Sequence, residues 1–263
     1  MNYIGIFDSG VGGLGIFNAV KKILPHENII YFADKEFFPY GGKTQEQICK
    51  RVEKITDYLV NQNCKLVVVA CNTASVSSLY FLRSKFSIPI VGVVPVVKTA
   101  AMMSLNKKIG ILGTTLTTES AYLKGLVNEF CPKSQGFNVT YRAADELVQI
   151  VEIADSYKNS DQILKKCLHR FKEKKVDAIA LGCTHFPFLK DKMQKIMGPE
   201  IAVLDSNEAV ARQVKRVLTN NDDLEDAQKA KYRFLTNKNL DDFSRQITNL
   251  INIENKEVEK IVL

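Results

Sequence analysis

VVVACNTAS, residues 67–75, is a run of valines and an alanine that stops at Cys71 and passes at once into Asn72 and Thr73. An unbroken apolar run of this length suits a strand covered on both faces. The polar residues after it are types that open helices. Strand, turn and helix start therefore follow one another within ten residues, as in a βα unit.

Working outward, the same cycle recurs from end to end. Strand patterns occur at YIGIFD (3–8), NIIYFAD (28–34), KLVVVAC (65–71), IPIVGVV (88–94), KIGILGT (108–114), NVTYRA (138–143), DAIALGC (177–183), IAVLDS (201–206) and KYRFLT (231–236). Between them lie segments such as TQEQICKRVEKITDYLVNQ, whose Ile48, Val52, Ile55 and Leu59 recur every three or four residues. This alternation predicts an α/β fold built on doubly wound parallel sheet. Pro95, after VGVV, marks one joint near 95–106, and VLDSNEA suggests a second near Asp205–Glu208. The charged stretch NNDDLEDAQKAK after residue 219 reads as surface.

Six cysteines stand at 49, 64, 71, 131, 167 and 183, none in a C-x-x-C pair, with three histidines in the chain. That spacing disfavours a zinc site. No apolar run is long enough to cross a membrane, and MNYIGIFDSG lacks the basic start of a signal peptide. Both features lead to the expectation of a cytoplasmic protein with free thiols. The net charge of +7 permits an anionic partner, but the lysines are spread along the chain and none of them marks a nucleic-acid site.

FDSGVGGLG places Gly10, Gly12 and Gly15 in G-x-G-x-x-G spacing, with Asp34 closing the next strand. This is nearly a dinucleotide fingerprint, and an NAD-dependent oxidoreductase is one alternative it raises. Asp8 and Ser9 argue against it, because a carboxylate at the turn repels a pyrophosphate. PYGGKT (39–44) has Phe37 where a P-loop needs its first glycine, so the ATP reading fails; a carboxylate grip and a plain turn both stay open. GTTLTTES (113–120) offers four threonines where a simple N-cap needs one, which leaves anion binding as a second reading.

LGCTHFP (181–187) repeats the design of the opening stretch: a strand, then Cys183, then Thr184 and His185. A lone strand-end cysteine is more often a buried thiol than a catalyst. Two in matching contexts, 112 residues apart, point to chemistry that wants a pair of interchangeable acid/bases. Inversion at a carbon fits: one thiolate removes a proton while the other thiol delivers one to the opposite face.

Taken in order, FDSGVGGLG, PYGG, ACNTAS, the G-T-x-x-T of Gly113 to Thr117 and LGCTHFP resemble the glutamate racemase family, within the wider aspartate/glutamate racemase superfamily. The resemblance covers nearly the whole chain, and Asn72 to Ser75 with the DSGVGG turn are of the glutamate type. It implies two α/β lobes of approximate pseudo-symmetry with the active site in the cleft between them, here 1–97 plus 208–263 and 98–207. It implies interconversion of L- and D-glutamate without cofactor or metal, supplying D-glutamate for peptidoglycan; a racemase for another acidic amino acid such as aspartate is the near alternative. By the same resemblance Cys71 takes the proton from D-glutamate, assisted by Asp8, and Cys183 from L-glutamate, assisted by His185 and Glu152. Ser9, Tyr40, Gly41, Asn72, Thr73, Thr114, Thr117 and Thr184, with Asp8 and His185, would hold the substrate. The implied partner is that small molecule, with no membrane or nucleic acid required and homodimerisation left open. DKEFF before PYGG departs from the family's commoner small and basic residues. GVVPVVKTAA resembles members activated by a peptidoglycan precursor, but the chain starts directly at its first strand, and no such activation is expected.

Overall fold

The computed structural model describes residues 2–153, 160–225, 229–253 and 256–263. Each of the nine apolar runs contains a strand: β1 Tyr3–Asp8, β2 Ile29–Ala33, β3 Cys64–Val69, β4 Ile90–Gly92, β5 Lys108–Gly113, β6 Asn138–Ala143, β7 Ala178–Gly182, β8 Ala202–Leu204 and β9 Tyr232–Thr236. A tenth, β10 (Glu257–Lys260), has no apolar run and escapes sequence reading. It is an edge strand, half exposed and charged, as an unprotected sheet edge tolerates. Its partner is specified by an ion pair instead: Arg233 of β9 donates from Nε to Glu259 at 2.8 Å.

The chain divides into two compact units, Met1–Val93 with Asn207–Leu263, and Val94–Ser206. All strand pairs are parallel. The first unit's sheet has the order β10-β9-β2-β1-β3-β4 and the second's β6-β5-β7-β8. Removing β9 and β10 leaves one connectivity used twice, with the first strand of each unit at the centre. Parallel strands need crossovers, and helices supply them. In the first unit, α1 (Leu14–Ile23) packs with α10 (Asn207–Asn220) and α11 (Leu240–Ile251), while α2 (Gln45–Asn61) packs with α3 (Asn72–Lys85). In the second, α4 (Val97–Met103) meets α6 (Ala121–Phe130), which follows the short α5 (Thr115–Glu119); α8 (Asp161–Glu173) meets α9 (Lys190–Met197). A short α7 (Glu146–Glu152) follows β6. Cover on both faces is why these strands carry continuous apolar runs.

Each sheet has its own core. Beneath α1, Phe17 lies 4.9 Å from the Phe234 ring, and Tyr31 stacks with Phe243 at 6.3 Å. Ile109, Ile111, Ala178 and Ala180 of β5 and β7 pack against Leu123 and Val127 of α6 and Ala100 of α4. Of the charged stretch NNDDLEDAQKAK, residues 226–228 lie outside the described residues. Asn220, Asn221 and Asp222 are exposed as expected. The next residues are pinned: Lys65 pairs with buried Glu27 at 3.0 Å and donates to the Asp223 carbonyl, and Glu27 accepts from Glu225 N at 2.8 Å.

The glycine turn after β1 owes its composition to close approach. The described glycines with positive φ are Gly136 and Gly198, neither of them in this turn. A Cβ at Gly13 would lie 2.8 Å from the Ala70 Cβ and 3.0 Å from both the Asp8 Cβ and the Tyr31 hydroxyl. The two Cβ atoms are fixed to the backbone and yield little. Gly13→Ala is therefore expected to cost about 1–3 kcal/mol and to lower Tm by roughly 2–12 °C in a thermal melt. An unchanged melting temperature would contradict this account of the turn.

Candidate active site

In the first unit the site residues are those that follow the strands. β1 ends on Asp8, and β3 is followed by Ala70 and Cys71. Cys71 is the N-cap residue of α3, with extended backbone and no side-chain capping bond. Its sulfur therefore stands at the positive end of a fourteen-residue helix. Ser75 fixes this turn: its hydroxyl donates to the Val69 carbonyl at 2.9 Å and accepts from Val93 N at 3.0 Å. That explains the serine of the opening stretch as a clamp between two strand ends.

The Asp8 carboxylate folds back into the glycine turn. Its Oδ1 accepts from Gly10 N at 2.9 Å and from the Ser9 hydroxyl at 3.2 Å. Ser9 Oγ is in turn 3.9 Å from Cys71 Sγ. Asp8, Ser9 and Cys71 thus form a carboxylate–hydroxyl–thiol chain, all three buried. On the first turn of α3, Asn72 is 2% exposed, and no described group reaches hydrogen-bonding distance of its amide oxygen or nitrogen. A buried amide without partners is costly unless something binds it. Thr73 is buried beside it in the chain.

Tyr40 and Gly41 lie in a short 3-10 turn, Tyr40–Gly42, after a cis Phe38–Pro39 bond. The Tyr40 hydroxyl donates to Asp34 Oδ2 at 2.6 Å. Burial pushes this phenol well above its usual value, and the charges of Asp34 and Cys71 push the same way. Asp34 also receives Arg51, through Nε at 2.9 Å and a terminal nitrogen at 2.6 Å, and Asn237 at 2.6 Å. The acid of the apparent dinucleotide fingerprint is therefore engaged by protein, and Asp8 occupies the turn that a pyrophosphate would need. The NAD reading does not fit this unit.

In the second unit Cys183 follows β7 as Cys71 follows β3, but its surroundings differ from expectation. The sequence suggested a helix opening directly after Cys183. The structure has a 3-10 turn, Phe186–Leu189, with Pro187 near its start, and α9 begins only at Lys190. The neighbour of this thiol is an imidazole instead of a long helix terminus. Cys183 Sγ is 3.8 Å from His185 Nδ1, and His185 Nε2 is 2.7 Å from Glu152 Oε1. Glu152 is the last residue of α7, and its side chain is 6% exposed against 2% for His185. With Nε2–H donated to Glu152, Nδ1 accepts from the thiol, or as imidazolium donates to a thiolate.

Of the threonines after β5, Thr114 caps α5: its hydroxyl accepts from Thr117 N at 3.3 Å and donates to the Thr117 hydroxyl at 3.0 Å. Thr115 turns elsewhere, giving its N–H and hydroxyl to Asp145 at 3.0 and 2.6 Å. Thr118 bonds back to the Thr114 carbonyl at 3.1 Å. Two of the four thus serve the local fold, and Thr114 and Thr117 form the buried hydroxyl pair. Thr184 is buried next to Cys183 in the chain. Sequence reading missed Arg51 and Asn237, since a cation inside an amphipathic helix and an asparagine after a strand carry no local signal.

The model of the family described as Asp/Glu/Hydantoin racemase matches residues 15–214. The chain belongs to this family. Among its relatives, glutamate racemase of Pseudomonas aeruginosa is 38% identical over 235 residues, 89% of this chain and 88% of its own. The crystal structure of glutamate racemase isoform RacE1 from Bacillus anthracis superposes with a TM-score of 0.88 at 28% identity, covering 100% and 98% of the two chains. Escherichia coli glutamate racemase, solved with L-glutamate and the activator UDP-MurNAc-ala, gives 0.86 at 31% identity, covering 100% and 99%. Family membership bears out the resemblance read from the ordered motifs.

Burial alone would lower the His185 value, but its bonds to Cys183 and Glu152 and their charges raise it well above the ordinary 6.5. A raised folded value means His185 stabilises the fold fully below its unfolded value, and that contribution is lost as pH rises through the folded one. In a ring-nitrogen NMR titration His185 is expected to remain doubly protonated at pH 6.5. A midpoint at or below 6.5 would contradict the Glu152–His185–Cys183 arrangement.

Proposed function

We propose that this protein interconverts L- and D-glutamate by proton transfer at Cα between two cysteines, without a cofactor. The observation that carries this reading is that each unit places, just after a strand of its sheet, a buried thiol with its own proton-handling groups nearby: Ser9 and Asp8 for Cys71, His185 and Glu152 for Cys183. Its relatives are named glutamate racemases.

The difficulty of the reaction is the weak acidity of Cα–H compared with a thiol, whose reference pKa is about 8.5. From L-glutamate, the Cys183 thiolate takes the Cα proton, and the electron pair left on carbon collects the Cys71 proton on the opposite face. From D-glutamate the roles reverse. After each turnover one sulfur has gained a proton and the other has lost one, so the reverse reaction resets the pair. His185 with Glu152 stabilises a thiolate at Cys183, and Asp8, through Ser9, handles the proton at Cys71. The carbanion-like state needs fixed donors where charge grows. Asn72, Thr73, Thr114, Thr117 and Thr184 are assigned that role, with Ser9, Tyr40 and Gly41 completing the grip on ammonium and carboxylates. Such an activity would supply D-glutamate for peptidoglycan from the cytoplasm.

Incubation in deuterated water tests this directly. Circular dichroism would follow inversion of L- and D-glutamate, and mass spectrometry the label at Cα, with aspartate run in parallel. Neither inversion nor exchange of glutamate would end the proposal, and inversion of aspartate alone would move it to the near alternative. Cys71→Ala and Cys183→Ala should each lower kcat on the order of 10³-fold or more. Normal racemisation by Cys183→Ala would eliminate the two-base scheme. Asn72→Ala should separate binding from folding. It removes a buried amide that has no partner among the described residues, so Tm should hold or rise while KM increases about tenfold. A lower Tm with unchanged KM would assign Asn72 to the fold instead.

A further inference from the structure

The side chain of Asp34, the residue that follows β2, bonds to neither thiol among the described contacts. Asp34 is fully buried, and its two oxygens accept four hydrogen bonds: from the two Arg51 nitrogens, Asn237 and the Tyr40 hydroxyl. The bidentate guanidinium supplies the counter-charge that a carboxylate at this depth requires. Asn237 performs a second task, since its Oδ1 accepts from Glu36 N at 2.9 Å and so ties down the loop leading from Asp34 to Tyr40. Phe37, part of the unusual DKEFF stretch, closes the same loop. Its ring is 5.8 Å from the Tyr40 ring in an edge contact, with the Arg51 guanidinium at 5.8 Å and Lys43 Nζ at 4.8 Å.

We infer that Arg51 and Asn237 are positioning residues for the substrate loop, acting through Asp34 on Tyr40; this rests on the glutamate reading above. The bond network dictates what Tyr40 can offer. With its proton committed to Asp34, the phenol oxygen can only accept, which suits a substrate ammonium and excludes donation to a carboxylate. Asp34 also holds the end of β1, its N–H donating to the Asp8 carbonyl at 2.9 Å. One buried residue therefore ties the loop carrying Tyr40 and Gly41, through its carboxylate, to the strand end carrying Asp8, through its backbone N–H. Without Arg51 the buried carboxylate loses its counter-charge and two of the four donors that hold it, so the acceptor that aims Tyr40 is no longer fixed in place.

The test is steady-state racemisation of L-glutamate by the full chain and by Arg51→Gln, Arg51→Lys, Asn237→Ala, Tyr40→Phe and Arg51→Gln/Tyr40→Phe, with thermal melts of each. Arg51→Gln and Asn237→Ala should raise KM about tenfold, the worth of one hydrogen bond to a charged group, while kcat changes less than threefold. Arg51→Lys should recover part of the KM. Because both act through one hydroxyl, the double variant should raise KM no further than Tyr40→Phe alone. If Arg51→Gln does not fold, Asn237→Ala, which leaves the ion pair intact, carries the same comparison. KM within twofold of the parent in the folded variants, a loss confined to kcat, or additive effects in the double variant would each overturn the inference. A parent protein that fails to invert glutamate would instead refute the functional reading, so the two failures are distinguishable.

Discussion

Parallel pairing of β1 with β2 and β3 is the constraint on which the first unit's chemistry depends. The register sets Asp8 opposite Ala33 and Phe7 opposite Val69. Residues that follow those strands therefore emerge together at one edge of the sheet: Ser9, Asp34, and Ala70 with Cys71. A chain whose neighbouring strands ran antiparallel would send these ends to opposite edges. The same rule acts in the second unit, where Gly113 of β5 lies opposite Gly182 of β7 and brings Thr114 beside the strand that precedes Cys183. The carboxyl edge of a parallel sheet is where such folds place ligands, because the loops there are free of the packing that fills the sheet's faces.

Repetition of topology did not produce repetition of electrostatics. The order of four strands is the same in both units, and a cysteine follows the third strand in each. Cys71 stands at the start of a long helix with a hydroxyl and a carboxylate within reach, whereas Cys183 stands before a 3-10 turn with an imidazole as neighbour. A hydroxyl passes a proton without holding a charge, and an imidazole can hold one. Two thiols proposed to trade roles over a catalytic cycle thus have chemically different neighbours.

Buried polar atoms sort the two kinds of residue found near these strand ends. Asp34, Ser75 and Thr118 have their bonding capacity met by protein, and their burial serves the fold. Asn72 is equally buried and has no described protein partner. Folding does not repay the desolvation of that amide, which is the physical mark of a group retained for something other than stability.

Much of this was legible in the linear chain because the signals are local. β-branched runs of strand length, the three-and-four spacing of Ile48, Val52, Ile55 and Leu59, and the two strand–cysteine–polar segments need no knowledge of distant residues. They sufficed for nine strands, two parallel sheets and both thiols. β10 was not legible, because an exposed edge strand need not be apolar and its pairing rests on the Arg233–Glu259 contact across the chain. The role of Asp34 was not legible: its spacing from the glycines raised a dinucleotide alternative, and only tertiary structure brings Arg51, Tyr40 and Asn237 to it. The turn after Cys183 also depended on more than the polar residues present, since Pro187 sits where the chain forms a 3-10 turn before α9. The sequence alone determined fold class, strand ends and candidate thiols, because periodicity and residue type act within a few residues. Tertiary structure decided which polar groups hold one another and which are buried without a described partner, because hydrogen-bond partners far apart in the chain meet only when the sheets form.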